Sequence, residues 1–507
     1  MSTSTTGFVP DRSVASMLWE TAGRSPEAKA IVDRERSVSY AELLGRAGAI
    51  AAAVVERRIE PGDRVAVLLE KGADAAAAYF GVIAAGAVVV LINDTLRPRQ
   101  IEYILDHSGA RLLLTSRAML ARQHRPLKTK AAVVEVETLA EATAFTPRPR
   151  RSADLAQLIY TSGSTGLPKG VMASHANILA AIETVAGYLG IRSDARIASL
   201  LPFNSVYGAN QLLCAVLHGA TLVIERSPVP NQVVAGLRDA GATVLAGVPP
   251  LWLQLINAPA FQEEPIATLR ILQNAGGHLA PAAVQRLREL QPQADLYLQY
   301  GMTEVFRTTY LPPEELERRP DSMGLPMPGV EVLVVREDLT PCEPGEVGEL
   351  VHCGPTVTQG YWNEPERTAL TYRPHPFDPE AGTVVFSGDM VRRDEEGFLY
   401  FVGRRDRMIK TLGYRVGPDE VLDVLYASGE IAEGLVTTEP DRQRGEAIVA
   451  YVVLKEEGAL DRLRKFCRAE MPRYMQPTRI EVREFLPRNA NGKHDLLALR
   501  KEAAAVS

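Results

Sequence analysis

The sequence predicts an α/β protein of more than one domain, and three observations predict it. Its 507 residues exceed what a single core normally holds. Short β-branched runs alternate with helical patterns from residue 64 to residue 301, as in parallel sheets covered by helices. From about residue 323 the texture changes to short strands punctuated by Gly and Pro, and after residue 403 to a last segment of about a hundred residues. The expected architecture is a large N-terminal domain, 1–403, of two doubly wound sheets with a small antiparallel, barrel-like β subdomain at about 323–403. A small α+β domain, 404–507, follows.

In chain order, residues 13–57 hold two helical patterns around a short strand, SVSY. Then come the strand RVAVLL (64–69), a helix from Gly72, the strand AVVVLI (87–92), a helix near Gln100 to His107, and the strand ARLLLTS (110–116). The alternation resumes after residue 158. Ser174 is an N-cap for a helix through Leu189, and Gly190 is its stop. ARIASLLP, a helix through Leu217, ATLVIE, a further helix, ATVLAG and finally LYLQYG (296–301) complete the second pattern. Ligands of such sheets collect at the carboxyl ends of the strands. GVEVLVV, GELVHCG, TVVFSGD and GFLYFVG supply the antiparallel strands. The charged stretch RRDRMIK marks the boundary, and the last segment reads as a helix, the strand AIVAYVVL, a helix and a strand near Arg479 to Val482.

Bulk properties exclude some functions. The formal net charge is -6 and no long Lys/Arg block stands out, so nucleic acid is not an expected partner. Residues 75–92 carry no charge, yet half are Ala or Gly, and Gly86 divides them into a helix-like and a strand-like part. A buried helix followed by a buried strand is expected, not a membrane span. The N-terminus has no signal-peptide pattern, and the four cysteines, Cys214, Cys342, Cys353 and Cys467, have no CxxC or zinc spacing. They are expected as reduced, mostly buried thiols in a cytoplasmic protein.

The stretch LIYTSGSTGLPKGV (158–171) ends a buried run in glycines, hydroxyls and one lysine. Glycines let backbone N–H groups curl around oxygens, hydroxyls add donors, and a lysine adds charge, so the composition suits a phosphate cradle. No Gly-Lys-Ser/Thr ends it, so it is not a P-loop. Alone, the same residues also suit a solvent-exposed turn.

YTSGSTGLPKGV resembles the signature loop of the adenylate-forming superfamily: acyl-CoA synthetases, aryl and coumarate ligases, luciferases and peptide-synthetase adenylation domains. QYGMTE (299–304), GELVHCGPTVTQGYWNEPERT (348–368), SGD (387–389), GRRDRMIKTLGYRVGPDE (403–420) and PRNANGK (487–493) follow in the family's order, over nearly the whole chain. The resemblance implies ATP-dependent adenylation of an acid, loss of pyrophosphate, and transfer to a thiol. ATP and Mg²⁺ are the implied cofactors, and CoA or a carrier-protein phosphopantetheine the implied acceptor. Two anions must meet in such a reaction, which calls for cations and oriented donors.

The family's roles carry over residue by residue. Thr161, Ser162, Gly163, Ser164, Thr165, Gly166 and Lys169 would hold the β- and γ-phosphates. Thr303 would donate to the α-phosphate. Glu304, with Thr161, would hold Mg²⁺. Tyr300 would stack on adenine, along Asn274, Ala275, Gly276, Gln299, Gly301 and Met302. Asp389 would accept from the ribose, with Arg404 nearby. Lys493 would bridge the acid oxygen and the α-phosphate. Asp406 would be the hinge of a mobile C-terminal domain, with Lys410 on the rotating segment. Taken singly, Asp389 also reads as a turn residue and Lys493 as a surface lysine.

LPFNSVYG (201–208) departs from the family. Where many acyl-CoA and aryl ligases carry an aromatic–histidine pair, and amino-acid adenylation domains carry Phe-Asp, this chain has Phe203, Asn204, Ser205, Val206. A buried ammonium without a carboxylate partner is costly, so an α-amino acid is disfavoured. Asn204, Ser205, Tyr207, Gln211, Trp252, Gly276, Met302 and Val305 are the candidate pocket residues; Trp252 reads equally as core. Four readings stand: an acid–CoA ligase, an enzyme loading a carrier protein in trans, an adenylate-former with an unusual acid such as a nitrite-activating diazotase, and a nucleotide-binding scaffold without catalysis. The presence of Glu304, Asp389 and Lys493 argues against the last.

Overall fold

The strand Val88–Leu91 is buried at all four positions and pairs in parallel with Arg64–Leu68 on one side and Leu155–Thr161 on the other. A strand buried on both faces needs a continuous apolar run, and VVVL supplies one. This is the centre of a six-stranded sheet that also holds Leu112–Thr115, Ala132–Glu135 and the antiparallel edge strand Lys169–Ser174. A computed structural model describes residues 12–33, 36–123, 125–161, 168–405, 408–411, 414–441, 444–489, 493–496 and 498–499.

The chain divides into two compact units. The first holds the residues up to Glu225 together with 303–306 and 355–371. It contains the six-stranded sheet and the strands Arg196–Ser199, Thr221–Ile224, Lys29–Asp33 and Arg36–Ser39, paired in that order. Ser174 caps the helix His175–Leu189 with a capping box, and Gly190 ends it in the left-handed conformation, as expected. The apolar stretch 75–92 is the buried helix Ala73–Ala84, a turn through Gly86 and the buried strand Val88–Leu91. Among the described residues, no helix is long and apolar enough to cross a membrane. The strand Lys29–Asp33 was not expected from the sequence; its parallel partner, Thr221–Ile224, is far away in the chain.

The second unit holds 226–302, 307–354 and the chain from Tyr372 onward. Its parallel strands are Val244–Gly247, Ile271–Asn274 and Asp295–Tyr300. The chain then reverses, and Thr309–Leu311, Ser322–Pro326, Leu399–Arg404, Thr383–Arg393, Val347–Cys353 and Glu331–Val335 follow in antiparallel pairing. The antiparallel strands expected near 323–403 are therefore present. They continue the parallel strands edge to edge in one mixed sheet, because Thr309–Leu311 hydrogen-bonds to both parts.

The last segment has its own sheet of Tyr414–Val416, Ile409–Thr411, Gly445–Leu454, Ile431–Asp441 and Arg479–Val482, with helices Pro418–Ala427 and Ala459–Glu470. Ile409, Val421, Leu425, Ile448, Leu463 and Cys467 form one apolar cluster there. All four cysteines are buried, and none forms a disulfide.

Candidate active site

In the first unit, the strand Leu155–Thr161 ends at the glycine-rich stretch and the chain returns as Lys169–Ser174, with Thr161 opposite Lys169. Ser162, Gly163, Ser164, Thr165 and Gly166 lie outside the described residues. The return strand carries a second neighbour. Met172 N donates to Gly360 O at 2.9 Å, Gln359 N to Met172 O at 2.8 Å, and Trp362 N to Gly170 O at 2.8 Å. This pairing threads TQGYW alongside Lys169 and presents Tyr361 inward, where it is 3% exposed.

Lys169, Glu304 and Tyr361 form a closed triangle. Lys169 Nζ donates to Glu304 Oε1 at 2.6 Å and to the Tyr361 hydroxyl at 2.8 Å, and that hydroxyl donates to Glu304 Oε1 at 2.7 Å. The amine lies 4.2 Å from the centre of the Tyr361 ring. The peptide carbonyl of Glu304 is held by Thr358 through its N–H at 3.0 Å and its hydroxyl at 2.9 Å. Burial pushes the Glu304 carboxyl up, but the charge and hydrogen bonds of Lys169 and the Tyr361 hydroxyl outweigh it and hold it below the usual range. Glu304 is therefore an ionised carboxylate in a buried setting. Thr161 Oγ1 is buried without a hydrogen-bond partner. An anionic oxygen and an uncommitted hydroxyl are the hard donors a magnesium ion takes, so these residues fit that ion. Thr303 is partly exposed beside Glu304 in the chain, and Val305 is fully buried.

In the same unit, Ser205 caps the helix Val206–His218. Its hydroxyl accepts from Gly208 N at 3.0 Å and donates to Pro202 O at 2.9 Å, so it serves the backbone. A Cβ on Gly208 would lie 2.0 Å from Pro202 O, so only glycine lets the FNS loop fold back here. Gln211 is 3% exposed; its Nε2 donates to Tyr207 O at 3.1 Å, which orients Oε1, and that atom is buried without a partner, as is Asn204 Oδ1. Tyr207 is partly exposed.

In the second unit, Tyr300, Asp389 and Arg404 come together. The Tyr300 hydroxyl donates to Asp389 Oδ2, and Arg404 Nη1 lies 3.0 Å from Asp389 Oδ1 across the paired strands. Burial and the Asp389 charge push the Tyr300 phenol well up. Asn274 ends its strand with Nδ2 donating to Gly277 O at 3.2 Å; Ala275 is buried, as is Gln299. Gly301 and Met302 are partly exposed. Trp252 is fully buried, and a Cβ on Gly247 would meet its indole at 2.7 Å, which places it in the core.

Lys493 approaches Gly276: a Cβ there would lie 3.3 Å from Lys493 Cε and 3.4 Å from its Nζ. The turn bearing Lys493 is pinned by Glu433, whose carboxylate takes Arg488 Nη2 at 2.7 Å and faces His494 Nε2 at 3.3 Å, one on each side of the lysine. Lys410 pairs with Arg415 in a short hairpin, with its side chain outside the description, and Asp406 lies outside the described residues.

Sequence reasoning missed Tyr361 and Glu433. Tyr361 lies within the motif at 348–368, but what it touches depends on the pairing with Gly170 and Met172. It also missed a grouping of Glu331, Cys353 and His375, whose ligand atoms lie within 4.8 Å of one another. His375 Nδ1 accepts from the Phe377 and Asp378 N–H groups, so Nε2 carries the proton, and burial pushes the Cys353 thiol up to about 12. With Nδ1 committed to two backbone N–H groups, the imidazole turns a protonated nitrogen towards Glu331.

A family model described as AMP-binding enzyme matches residues 18–362, and one described as AMP-binding enzyme C-terminal domain matches 420–493. A long-chain-fatty-acid–CoA ligase of Bacillus subtilis is 28% identical over 96% of this chain and 93% of its own length. Tyrocidine synthase 2 of Brevibacillus parabrevis is 30% identical over 97% of this chain, which spans 14% of that protein. Among solved structures, o-succinylbenzoate CoA synthetase from Bacillus subtilis, in complex with its acyl-adenylate intermediate, has a TM-score of 0.84 at 26% identity, covering 96% of this chain and 97% of that one. ATP-bound MatB from Rhodopseudomonas palustris has a TM-score of 0.86 at 25% identity, covering 98% and 99%.

Proposed function

The chain belongs to the AMP-binding enzyme family, and from that premise we propose that it activates an acid with ATP and hands the acyl group to the thiol of CoA. In the first step a carboxylate oxygen attacks the α-phosphorus, the bond to the β-phosphate oxygen breaks and pyrophosphate leaves. In the second, the thiol attacks the acyl carbon and AMP leaves. The observation that carries this reading is the approach of Lys493, near the end of the described chain, to Gly276.

Lys493 bridges the acid oxygen and the α-phosphate, and withdraws it from repulsion by its partner anion. Lys169 meets the outgoing phosphates, and Thr303 donates to the α-phosphate. Asp389 and Arg404 receive the ribose, and Tyr300 lies against the base. Glu304 and Thr161 would hold magnesium, which supplies charge neutralisation to the phosphates when bound. The carbonyl of Glu304 is tied to Thr358, so its carboxylate is aimed before the nucleotide arrives.

The acid carries a hydrogen-bond donor. Gln211 Oε1 and Asn204 Oδ1 are buried acceptors without partners, and covering such a group with hydrocarbon costs about 1–3 kcal/mol. A hydroxylated or aryl acid with an N–H or O–H substituent answers them; a plain alkyl chain does not. CoA as acceptor is supported by the match to a CoA ligase along 93% of that ligase's length. A carrier-protein thiol is the second reading, supported by the match to tyrocidine synthase 2.

The test is pyrophosphate release without thiol, run with pairs of acids that differ by one hydroxyl, with alkyl, aryl and amino acids, and with nitrite. The expected result is release with a donor-bearing carboxylic acid, about tenfold faster than with its deoxy counterpart, and loss of that margin in Gln211→Leu. Preference for the alkyl member refutes the polar pocket. Silence with every carboxylic acid refutes the adenylation of carboxylic acids.

A further inference from the structure

We propose that His278 and Asp423 are positioning residues: their bond holds the C-terminal segment in the orientation that brings Lys493 to Gly276. This rests on the reading of Lys493 as the adenylation lysine.

His278 stands two residues beyond Gly276, and its Nε2 lies 2.9 and 3.0 Å from the two oxygens of Asp423. Asp423 sits on the helix Pro418–Ala427, in the segment that also carries Lys493. The side chains are 17% and 30% exposed, so water screens the pair only in part. One bifurcated contact, a single ring nitrogen shared by both carboxylate oxygens, thus ties the segment bearing the lysine to the loop that receives it. The Glu433 clamp on Arg488 and His494 is different in kind, because all its members lie within the C-terminal segment. It keeps the shape of the lysine turn whichever way the segment faces. The His278–Asp423 contact instead runs from the segment to the receiving loop, so a turn of the segment would break it.

The surroundings make the contact depend on protonation. Burial pushes the His278 ring down, but the hydrogen bond and charge of Asp423, with the charges of Asp419 and Asp321, outweigh it and hold the ring above its ordinary value of 6.5. Every charged group named here is acidic. The sign follows: the pairing is fully strengthened below 6.5, and that gain is lost as pH rises through the raised value. The neutral ring still donates its N–H to Asp423, so the contact weakens without vanishing. Release of the segment, and with it the thioester step, is eased at higher pH.

Two half-reactions separate this role from general stability. Pyrophosphate release reads the first, and thioester formation from a supplied acyl-adenylate reads the second, both across pH of about 6 to 9. Asp423→Asn should slow the first about tenfold, leave the second undiminished or faster, and remove the alkaline fall of the first. His278→Gln keeps an N–H donor, and should hold the first half-reaction within about threefold of the parent while flattening its pH profile. Equal losses in both half-reactions, or a parental pH profile in both variants, overturns the proposal. The proton resonance of the His278 ring gives a readout that needs no catalysis. It should titrate above 6.5 in the parent and fall in Asp423→Asn. An ordinary value in the parent refutes the pairing. Failure of the parent to release pyrophosphate with any acid, beside a raised His278 value, refutes the functional reading and leaves the pairing standing.

Discussion

Glu304 keeps its charge in a buried place because one amine and one phenol converge on the same oxygen. Removing the charge leaves Lys169 facing a neutral amide, and removes the anionic oxygen a magnesium ion would take. Glu304→Gln should raise the magnesium concentration needed for half-maximal pyrophosphate release by about tenfold or more. An unchanged magnesium titration removes Glu304 from the metal site. Both charged members of this triangle were legible in the sequence, because each sits in a motif whose spacing survives in one dimension. Tyr361 was not, because its hydroxyl reaches Lys169 across 192 positions, by way of the pairing between Gly170 and Trp362. His278 and Asp423 were hidden for the same reason: they are 145 positions apart.

At the scale of elements, the helix Val206–His218 shows how a local rule and a site share residues. Ser205, read from sequence as a candidate for the pocket, is the N-cap, and its hydroxyl is committed to Gly208 N and Pro202 O. Asn204 and Gln211 keep the polar acceptors. Gly208→Ala would drive its Cβ into Pro202 O and displace the loop that carries Asn204. The expected result is a KM for the acid raised about tenfold or more, with KM for ATP unchanged. An equal rise in both would mean that the loop does not contact the acid. Strands with long apolar runs and helices with caps, such as Val88–Leu91 and His175–Leu189, were readable from the chain because their signals are local. The strand Lys29–Asp33 and the hairpin of Ile409–Thr411 with Tyr414–Val416 are short, and their partners or their brevity hid them. The antiparallel strands were read correctly as strands; that they extend a parallel sheet depends on the reversal after Tyr300, which no periodicity announces.

At the scale of the molecule, we propose that one chain performs two reactions with one lysine that arrives for the first and leaves for the second. The C-terminal segment has its own sheet and its own apolar cluster, as a part that moves as a unit requires. The sequence resemblance implies its boundary near Arg404 and its hinge at Asp406, which lies outside the described residues. The order of the motifs implies this plan in the sequence, whereas the proposed contact of His278 with Asp423, 145 positions apart, carries no local pattern. The most direct test of the central claim is to measure the two half-reactions of Lys493→Ala separately, with the acid that releases pyrophosphate in the parent enzyme. The account predicts loss of pyrophosphate release by a factor of about a hundred or more, with thioester formation from a supplied acyl-adenylate intact. Loss of both half-reactions together, or pyrophosphate release at the parental rate, would contradict it.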